Sequence, residues 1–128
     1  MAICGDVNNA QTIDKVKDNT IEKWGCLDGI VANAGAVKST QEWNVSRDDW
    51  SWYFTNNFSV AHNTIQTLVP LLVDSLGSIV LVGSIAGMEE IGAPLPYSSS
   101  KAALLAYSKS LSVRLAKQKV RVNMVSPG

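Results

Sequence analysis

The stretch "GSIVLVGS", residues 77–84, is the clearest structural signal in this sequence. Its centre, Ile79 to Val82, is an unbroken apolar run rich in β-branched side chains. Such runs are typical of strands that are buried on both faces. Glycines flank the run on both sides, as expected where a strand ends. The stretch therefore predicts a central strand of a parallel sheet.

Two further segments read as strands on either side of this one along the chain. Residues 27–35, "LDGIVANAG", contain a short apolar run, and residues 119–128, "KVRVNMVSPG", alternate apolar and polar side chains before a Pro-Gly stop. Residues 1–7, "MAICGDV", read as the tail of another strand. The predicted strands all end in polar or glycine-containing loops.

Helical patterns separate the predicted strands. Apolar residues recur at helical spacing in residues 10–24, and Gly25 stands where that helix would stop. A longer helix begins at Ser46 as N-cap, and Pro70 is expected to end or kink it. A third helix starts near Tyr97. The alternation predicts an α/β fold in which helices wrap a parallel sheet, as one domain over residues 1–128 with no internal boundary.

Composition narrows the class of protein. The 128 residues are 46% apolar and 17% charged, and eleven basic residues balance eleven acidic ones, so neither nucleic acid nor an anionic membrane is an expected partner. No apolar run approaches the length of a membrane helix. Cys4 and Cys26 have no metal-ligand or CxxC spacing, which favours reduced thiols and a cytoplasmic location.

Tyr97 and Lys101 stand four residues apart in "YSSSK", so a helix places them on one face. A free phenol has a pKa near 10 and is a poor base at neutral pH, but a fixed ammonium beside a phenol favours the phenolate. The pair predicts a general acid and base. A solvated helix surface would explain the same spacing without any catalysis.

Two polar residues strengthen the catalytic interpretation. Ser84 closes the buried strand, where its hydroxyl can donate a hydrogen bond to a substrate oxygen. Asn57 lies on the apolar stripe of the long helix, where a carboxamide is costly unless it binds water or backbone groups. Each also has a structural explanation, because Ser84 can turn the chain and Asn57 can satisfy a helix kink.

Five motifs in order resemble the classical short-chain dehydrogenase/reductase family: "VANAG", "WSWYFTNNFSV", "VLVGSIAG", "YSSSK" and "VRVNMVSPG". The resemblance covers nearly the whole chain. It implies a Rossmann-type doubly wound parallel sheet in three layers, α/β/α, and a nicotinamide cofactor, with the choice between NAD and NADP left open. It further implies a catalytic tetrad of Asn57, Ser84, Tyr97 and Lys101.

The resemblance also implies individual roles. Ser84 holds the substrate oxygen, Tyr97 exchanges a proton with it, and Lys101 assists the phenol and binds the nicotinamide ribose. Asn57 holds a water that links Lys101 to solvent. The implied cofactor-binding residues are Asp6 and Val7 at the adenine, Asn33, Ala34 and Gly35 along the crevice, Tyr97 and Lys101, and Pro127 and Gly128 beside the nicotinamide.

One family motif is missing. The Thr-Gly-x-x-x-Gly-x-Gly turn, whose backbone amides approach a pyrophosphate, has no counterpart in the sequence. The chain is therefore expected to be the central segment of a longer protein, cut at both ends and inactive by itself. In the family's sheet order, its first full strand would then expose an apolar edge.

The leading hypothesis is an oxidoreductase that interconverts a ketone and a secondary alcohol and forms a dimer or tetramer when complete. A 3-oxoacyl thioester, a sugar or polyol, and a steroid-like alcohol all remain open as substrates. One alternative is a truncated, non-catalytic interaction or oligomerisation module of the same fold. Another is an epimerase or dehydratase on that scaffold, which would also keep Tyr97 and Lys101.

Overall fold

The computed structural model describes residues 1–38 and 43–128. Helices and strands alternate along the chain, as the sequence predicts. In chain order the elements are α1 (Ala10–Trp24), β1 (Gly29–Ala32), α2 (Arg47–Phe54), a π-helical turn (Thr55–Ser59), α3 (Val60–Ser75), β2 (Ser78–Val82), a 3₁₀ turn (Ile85–Gly87), α4 (Leu95–Ala116) and β3 (Arg121–Val125).

The three strands form one parallel sheet in the order β1-β2-β3. Residues that pair across the sheet share a face, and one face presents the core rows Ile30–Ile79–Val122 and Ala32–Leu81–Met124. Apolar residues of α1, α3 and α4 pack on these rows and complete the core. This burial of apolar surface is the main source of stability.

The opposite face of the sheet carries Val31 and Val125, which are 69% and 49% exposed. Side chains alternate along a strand, so these residues point away from the core rows. The predicted parallel sheet with helices packed on it is confirmed, and among the described residues the helices cover one face, which is one of the two predicted layers. The apolar edge predicted for the first full strand lies at β1, which pairs only with β2 among the described residues.

The long helix begins as predicted, because the Ser46 side chain accepts a hydrogen bond from the Asp49 amide at 3.0 Å. Of the two outcomes expected at Pro70, an end or a kink, the end is wrong, since α3 continues to Ser75. Leu68 and Leu72 on either side of the proline are both buried, whereas Pro70 is exposed. Core packing of this turn therefore outweighs the one backbone bond that proline cannot make.

Residues 1–7 do not form a strand, contrary to the sequence prediction. A strand needs a neighbour to pair its backbone groups, and the three-stranded sheet offers none at this end of the chain. Helix α1 does end at the predicted glycine, because Gly25 adopts a left-handed conformation with φ of 74° and its amide donates to Ile21.

Cys4 and Cys26 are both free thiols and both exposed. Across residues 1–38 and 43–128, none of the helices combines the length and the apolar character that crossing a bilayer requires. Helix α4 opens with two prolines, Pro94 as its N-cap and Pro96 in its first turn, which places Tyr97 one residue later near the start of the helix.

Candidate active site

Tyr97 and Lys101 lie on one face of α4, as their spacing predicts. The Lys101 Nζ atom is 5.7 Å from the centre of the Tyr97 ring. Lys101 is only 4% exposed, and its ammonium donates a hydrogen bond to the Val82 carbonyl at 3.0 Å. Burial lowers the pKa of Lys101 below its ordinary value, because desolvation disfavours the charged form. A partly desolvated cation therefore stands beside the phenol.

Asn57 is fully buried in the middle of the π-helical turn that joins α2 to α3. Its Nδ2 donates to the carbonyls of Ala36 at 2.8 Å and Tyr53 at 3.0 Å, and its Oδ1 accepts from the Ala36 amide at 3.1 Å. The carboxamide thus pairs with both backbone groups of one loop residue. The π-helical turn was not predicted, and such turns are frequent at functional sites.

Gly35 follows β1 at the point where the loop passes closest to these side chains. A Cβ atom at this position would lie 3.0 Å from Asn57 Oδ1 and 3.5 Å from Lys101 Nζ. The first distance is tighter than ordinary van der Waals contact. Glycine therefore lets the backbone of the loop approach the amide and the ammonium together.

These residues surround a cleft of about 330 Å³ at the carboxyl ends of β1 and β2. Ligands bind at this end of the strands in open parallel sheets. Five of the predicted site residues line it: Asn33, Gly35, Asn57, Tyr97 and Lys101. Four lining residues were missed: Ala36, Val37, Val82 and Gly83. Their positions directly after β1 and at the end of β2 are the signal that could have found them.

Ser84 follows β2 as predicted but is not among the residues that line the cleft. It is the N-cap of the 3₁₀ turn, where its Oγ accepts a hydrogen bond from the Ala86 amide at 3.1 Å. An accepting hydroxyl keeps its own hydrogen for another partner. Ser84 is half-buried and can both turn the chain and donate to a ligand.

The remaining predicted cofactor residues lie outside the cleft lining. Asp6 is exposed in the turn before α1, where its Oδ1 accepts from the Asn8 amide at 2.8 Å, and Val7 packs against the core. Pro127 lies beside the 3₁₀ turn, because its carbonyl accepts from the Ile85 amide at 3.0 Å. Gly128 also lies next to Ile85, and Ala34 is exposed between two residues of the cleft wall.

The chemistry that this cleft offers is proton transfer and polar binding. Among residues 1–38 and 43–128, His, Cys, Asp and Glu side chains form no group of three or more that could hold a metal ion. The cleft instead combines a phenol, a buried ammonium, a carboxamide and backbone groups of a glycine-containing loop. Such a set can bind hydroxyl groups and move a proton to or from an oxygen.

Several known proteins are similar to this chain in sequence. An uncharacterised NAD-dependent oxidoreductase of Mycobacterium tuberculosis is 30% identical over 95% of this chain and 45% of its own length. A 3-oxoacyl-[acyl-carrier-protein] reductase of Thermotoga maritima is 30% identical over 96% of this chain and 50% of its own. The chain thus spans about half the length of these relatives.

A solved structure agrees with this likeness. The crystal structure of a short-chain dehydrogenase/reductase of unknown function from Caenorhabditis elegans with cofactor matches with a TM-score of 0.92 and 32% identity, over 98% of this chain and 48% of that one. The family model for short chain dehydrogenases matches residues 1–128. This chain belongs to the short-chain dehydrogenase family.

Proposed function

We propose that this chain is the catalytic segment of an NAD(P)-dependent oxidoreductase that interconverts a ketone and a secondary alcohol, with Tyr97 as the acid and base. The observation that carries the proposal is the buried ammonium of Lys101, 5.7 Å from the Tyr97 ring in the cleft wall. A lysine on a solvent-exposed helix surface would instead extend its ammonium into water.

The residues of the cleft fit the nicotinamide end of such a cofactor. The Gly35 position leaves open the space that a Cβ would fill between Asn57 and Lys101. The Lys101 ammonium has three donor hydrogens, of which the Val82 carbonyl accepts one, so others can reach ribose hydroxyls. In this proposal Asn33 and Gly35 of the cleft lining, with the backbone of Ala34 between them, run along the cofactor. Pro127 and Gly128, which lie beside Ile85, would contact the nicotinamide side.

When bound, a nicotinamide cofactor supplies or accepts the hydride. Ser84 donates its free hydroxyl hydrogen to the substrate oxygen and fixes its position. In reduction, the Tyr97 hydroxyl gives its proton to that oxygen as the carbonyl carbon gains a hydride. In oxidation, the Tyr97 phenolate takes the proton of the alcohol. Lys101 stabilises the phenolate by its charge.

Asn57 connects this machinery to the loop after β1. Both donor hydrogens of its Nδ2 are engaged, by Ala36 and by Tyr53. A water that it holds for proton exchange with Lys101 therefore bonds an oxygen of Asn57 rather than Nδ2. In this proposal the carboxamide has a second task, since it fixes the loop wall next to the ammonium.

The substrate class that we propose first is a 3-oxoacyl thioester. Relatives from Thermotoga maritima and Synechocystis carry the name 3-oxoacyl-[acyl-carrier-protein] reductase, at 30% and 28% identity. The exposed Met88 and Ile91, between Ser84 and Tyr97, offer apolar surface where an acyl chain would lie.

The test is consumption of NADH and NADPH by the protein as its native source makes it, with 3-oxoacyl thioesters, ketosugars and steroid ketones as substrates. We expect turnover of one ketone class, and a loss of about a thousandfold in Tyr97→Phe because the proton donor is gone. Tyr107→Phe is the matched control, since Tyr107 lies farther along α4 and packs against Phe58 and His62. Turnover by Tyr97→Phe at the control's rate would contradict the proposal.

A further inference from the structure

Tyr53 is a fully buried residue of α2 whose hydroxyl bonds to the loop after β1. The Lys38 amide donates to Tyr53 Oη at 3.0 Å, and Oη donates to the Lys38 carbonyl. A buried hydroxyl is costly unless it is hydrogen-bonded, so these two bonds decide where the ring can sit. A tyrosine here ties the helix to the loop in a way that an apolar side chain of equal volume would not.

Tyr53 and Asn57 bind the loop in the same manner. Each side chain pairs with both the amide and the carbonyl of one loop residue, Asn57 with Ala36 and Tyr53 with Lys38. The two side chains are four apart on the helix, and the loop residues are two apart, as on one side of an extended segment. Val37 between them is 61% exposed and lines the cleft.

Tyr53 also touches the proposed catalytic residues. Its ring meets the Tyr97 ring edge-on, with centres 6.4 Å apart and an interplanar angle of 67°. Its backbone carbonyl accepts the hydrogen bond from Asn57 Nδ2 at 3.0 Å. One side chain is thus in contact with the phenol on one side and with the cleft wall on the other.

The side chain of Lys38 holds the same loop residue from outside. Its Nζ lies 3.3 Å from Asp49 Oδ1 and 4.2 Å from the centre of the Trp52 ring. Both partners are residues of α2. The loop is therefore fixed to this helix through Lys38 by backbone and side chain together, which favours one position of the cleft wall.

From these contacts we infer that Tyr53 is a positioning residue, whose hydroxyl sets the loop wall of the cofactor cleft and whose ring sets the orientation of Tyr97. This inference rests on the proposed oxidoreductase function. The hydroxyl and the ring of Tyr53 then affect different kinetic constants. The hydroxyl governs the cofactor's KM through the loop, and the ring governs kcat through the phenol.

The experiment compares Tyr53→Phe, which removes only the hydroxyl, with Tyr53→Leu, which also removes the ring. Both substitutions are introduced into the protein in the form that its native source produces, and Tyr107→Phe is the control. The measurements are hydrogen exchange of the Lys38 amide, the KM for NADH or NADPH, and kcat. Exchange reports on the loop directly and does not depend on turnover.

For Tyr53→Phe we expect Lys38 exchange and cofactor KM to rise about fivefold, with kcat within about twofold of wild type. For Tyr53→Leu we expect kcat to fall by about tenfold as well, because a misplaced acid loses alignment. The control should match wild type in all three measurements. If Tyr53 had only a structural role, both substitutions would lower stability, and neither would raise KM while leaving kcat unchanged.

Two results would overturn the inference. One is Lys38 exchange and cofactor KM in Tyr53→Phe within about twofold of wild type. The other is equal kcat in the Phe and Leu variants. A wild-type protein without nicotinamide-dependent turnover refutes the proposed function, and the catalytic part of this inference with it. Unchanged exchange in an active enzyme refutes the role of Tyr53 alone.

Discussion

The two ends of the proposed cofactor site are held very differently. At the cleft, Asn57 and Lys101 are buried, and both bond to backbone carbonyls of the cleft wall. At the proposed adenine end, Asp6 is exposed, and its only described side-chain bond is to the amide of Asn8, two residues away. The first end depends on packed helices and strands, whereas the second depends on a local turn.

This difference shows that proton transfer and cofactor binding need different degrees of rigidity in the residues that carry them. Proton transfer needs groups fixed to a fraction of an ångström, and buried side chains with several partners provide such rigidity. Adenine contacts add affinity and require less exact placement than proton transfer. We therefore expect substitutions at the cleft to change catalysis or folding strongly and substitutions at the turn to have small effects.

The largest effect is expected for Lys101→Met. The variant keeps an unbranched side chain that is one atom shorter and removes the charge beside Tyr97, so kcat should fall by about a thousandfold, or about 4 kcal/mol of transition-state stabilisation. Lys109→Met, an exposed lysine on the same helix, is the control and should retain wild-type turnover. Steady-state kinetics with NADH or NADPH measures kcat for both variants, and equal kcat values would contradict the role of Lys101.

A strong effect on folding is expected for Asn57→Ala. The change removes three hydrogen bonds and leaves both backbone groups of Ala36 without this partner, which should lower the free energy of unfolding by about 2–3 kcal/mol. Asn63→Ala removes an exposed carboxamide from α3 and should stay within about 0.5 kcal/mol of wild type. Urea unfolding measures both, and equal stabilities would show that the hydrogen bonds of Asn57 to Ala36 and Tyr53 do not stabilise the fold.

The pH dependence of stability gives a finer comparison. Burial lowers the pKa of Lys101 in the folded protein, so the unfolded chain binds more protons between that pKa and the ordinary lysine value of about 10.4. The free energy of unfolding should therefore rise with pH across this window, and should be nearly independent of Lys101 well below it.

Lys101→Met isolates this contribution. The stability of wild type minus that of the variant should increase with pH, because only the wild type relieves the cost of a buried charge. Tyr107 titrates in both proteins, and its raised pKa cancels in the difference. Urea titrations at a series of pH values measure it, and a flat difference would show that Lys101 pays no burial cost.

The smallest effect is expected at the turn. Asp6→Ala removes one exposed hydrogen bond, so stability should stay within about 0.5 kcal/mol of wild type. If Asp6 contacts adenine, the cofactor's KM should rise by about threefold with kcat unchanged. Asp14→Ala, another exposed carboxylate nearby on α1, should change neither. An effect on kcat would show that the two ends of the site are not separate.

The sequence predicts those features that depend on local pattern. The apolar run at β2, the Ser46 cap and the glycine stop at Gly25 are all read from adjacent residues, and all three lie where expected. The Tyr97–Lys101 face follows from helix geometry in the same way. The α4 face positions two residues of the cleft wall, Tyr97 and Lys101.

What the sequence does not predict depends on long-range partners. The strand expected at residues 1–7 lacks a neighbour to pair with, and Pro70 stays inside α3 because the leucines beside it are buried. The bond from Lys101 to Val82 and the bonds from Tyr53 to Lys38 each join distant parts of the chain. Such contacts follow from packing, which no local periodicity encodes.

The central claim is that a hydride passes to the carbonyl carbon of a ketone while Tyr97 gives a proton to the carbonyl oxygen. The most direct measurement is a single turnover with a cofactor deuterated at the transferring position, followed by mass analysis of the product from wild type and Tyr97→Phe. We predict one deuterium on the carbinol carbon in wild type and no product on the same timescale in the variant. Product without deuterium, or equal product from both proteins, would contradict the account.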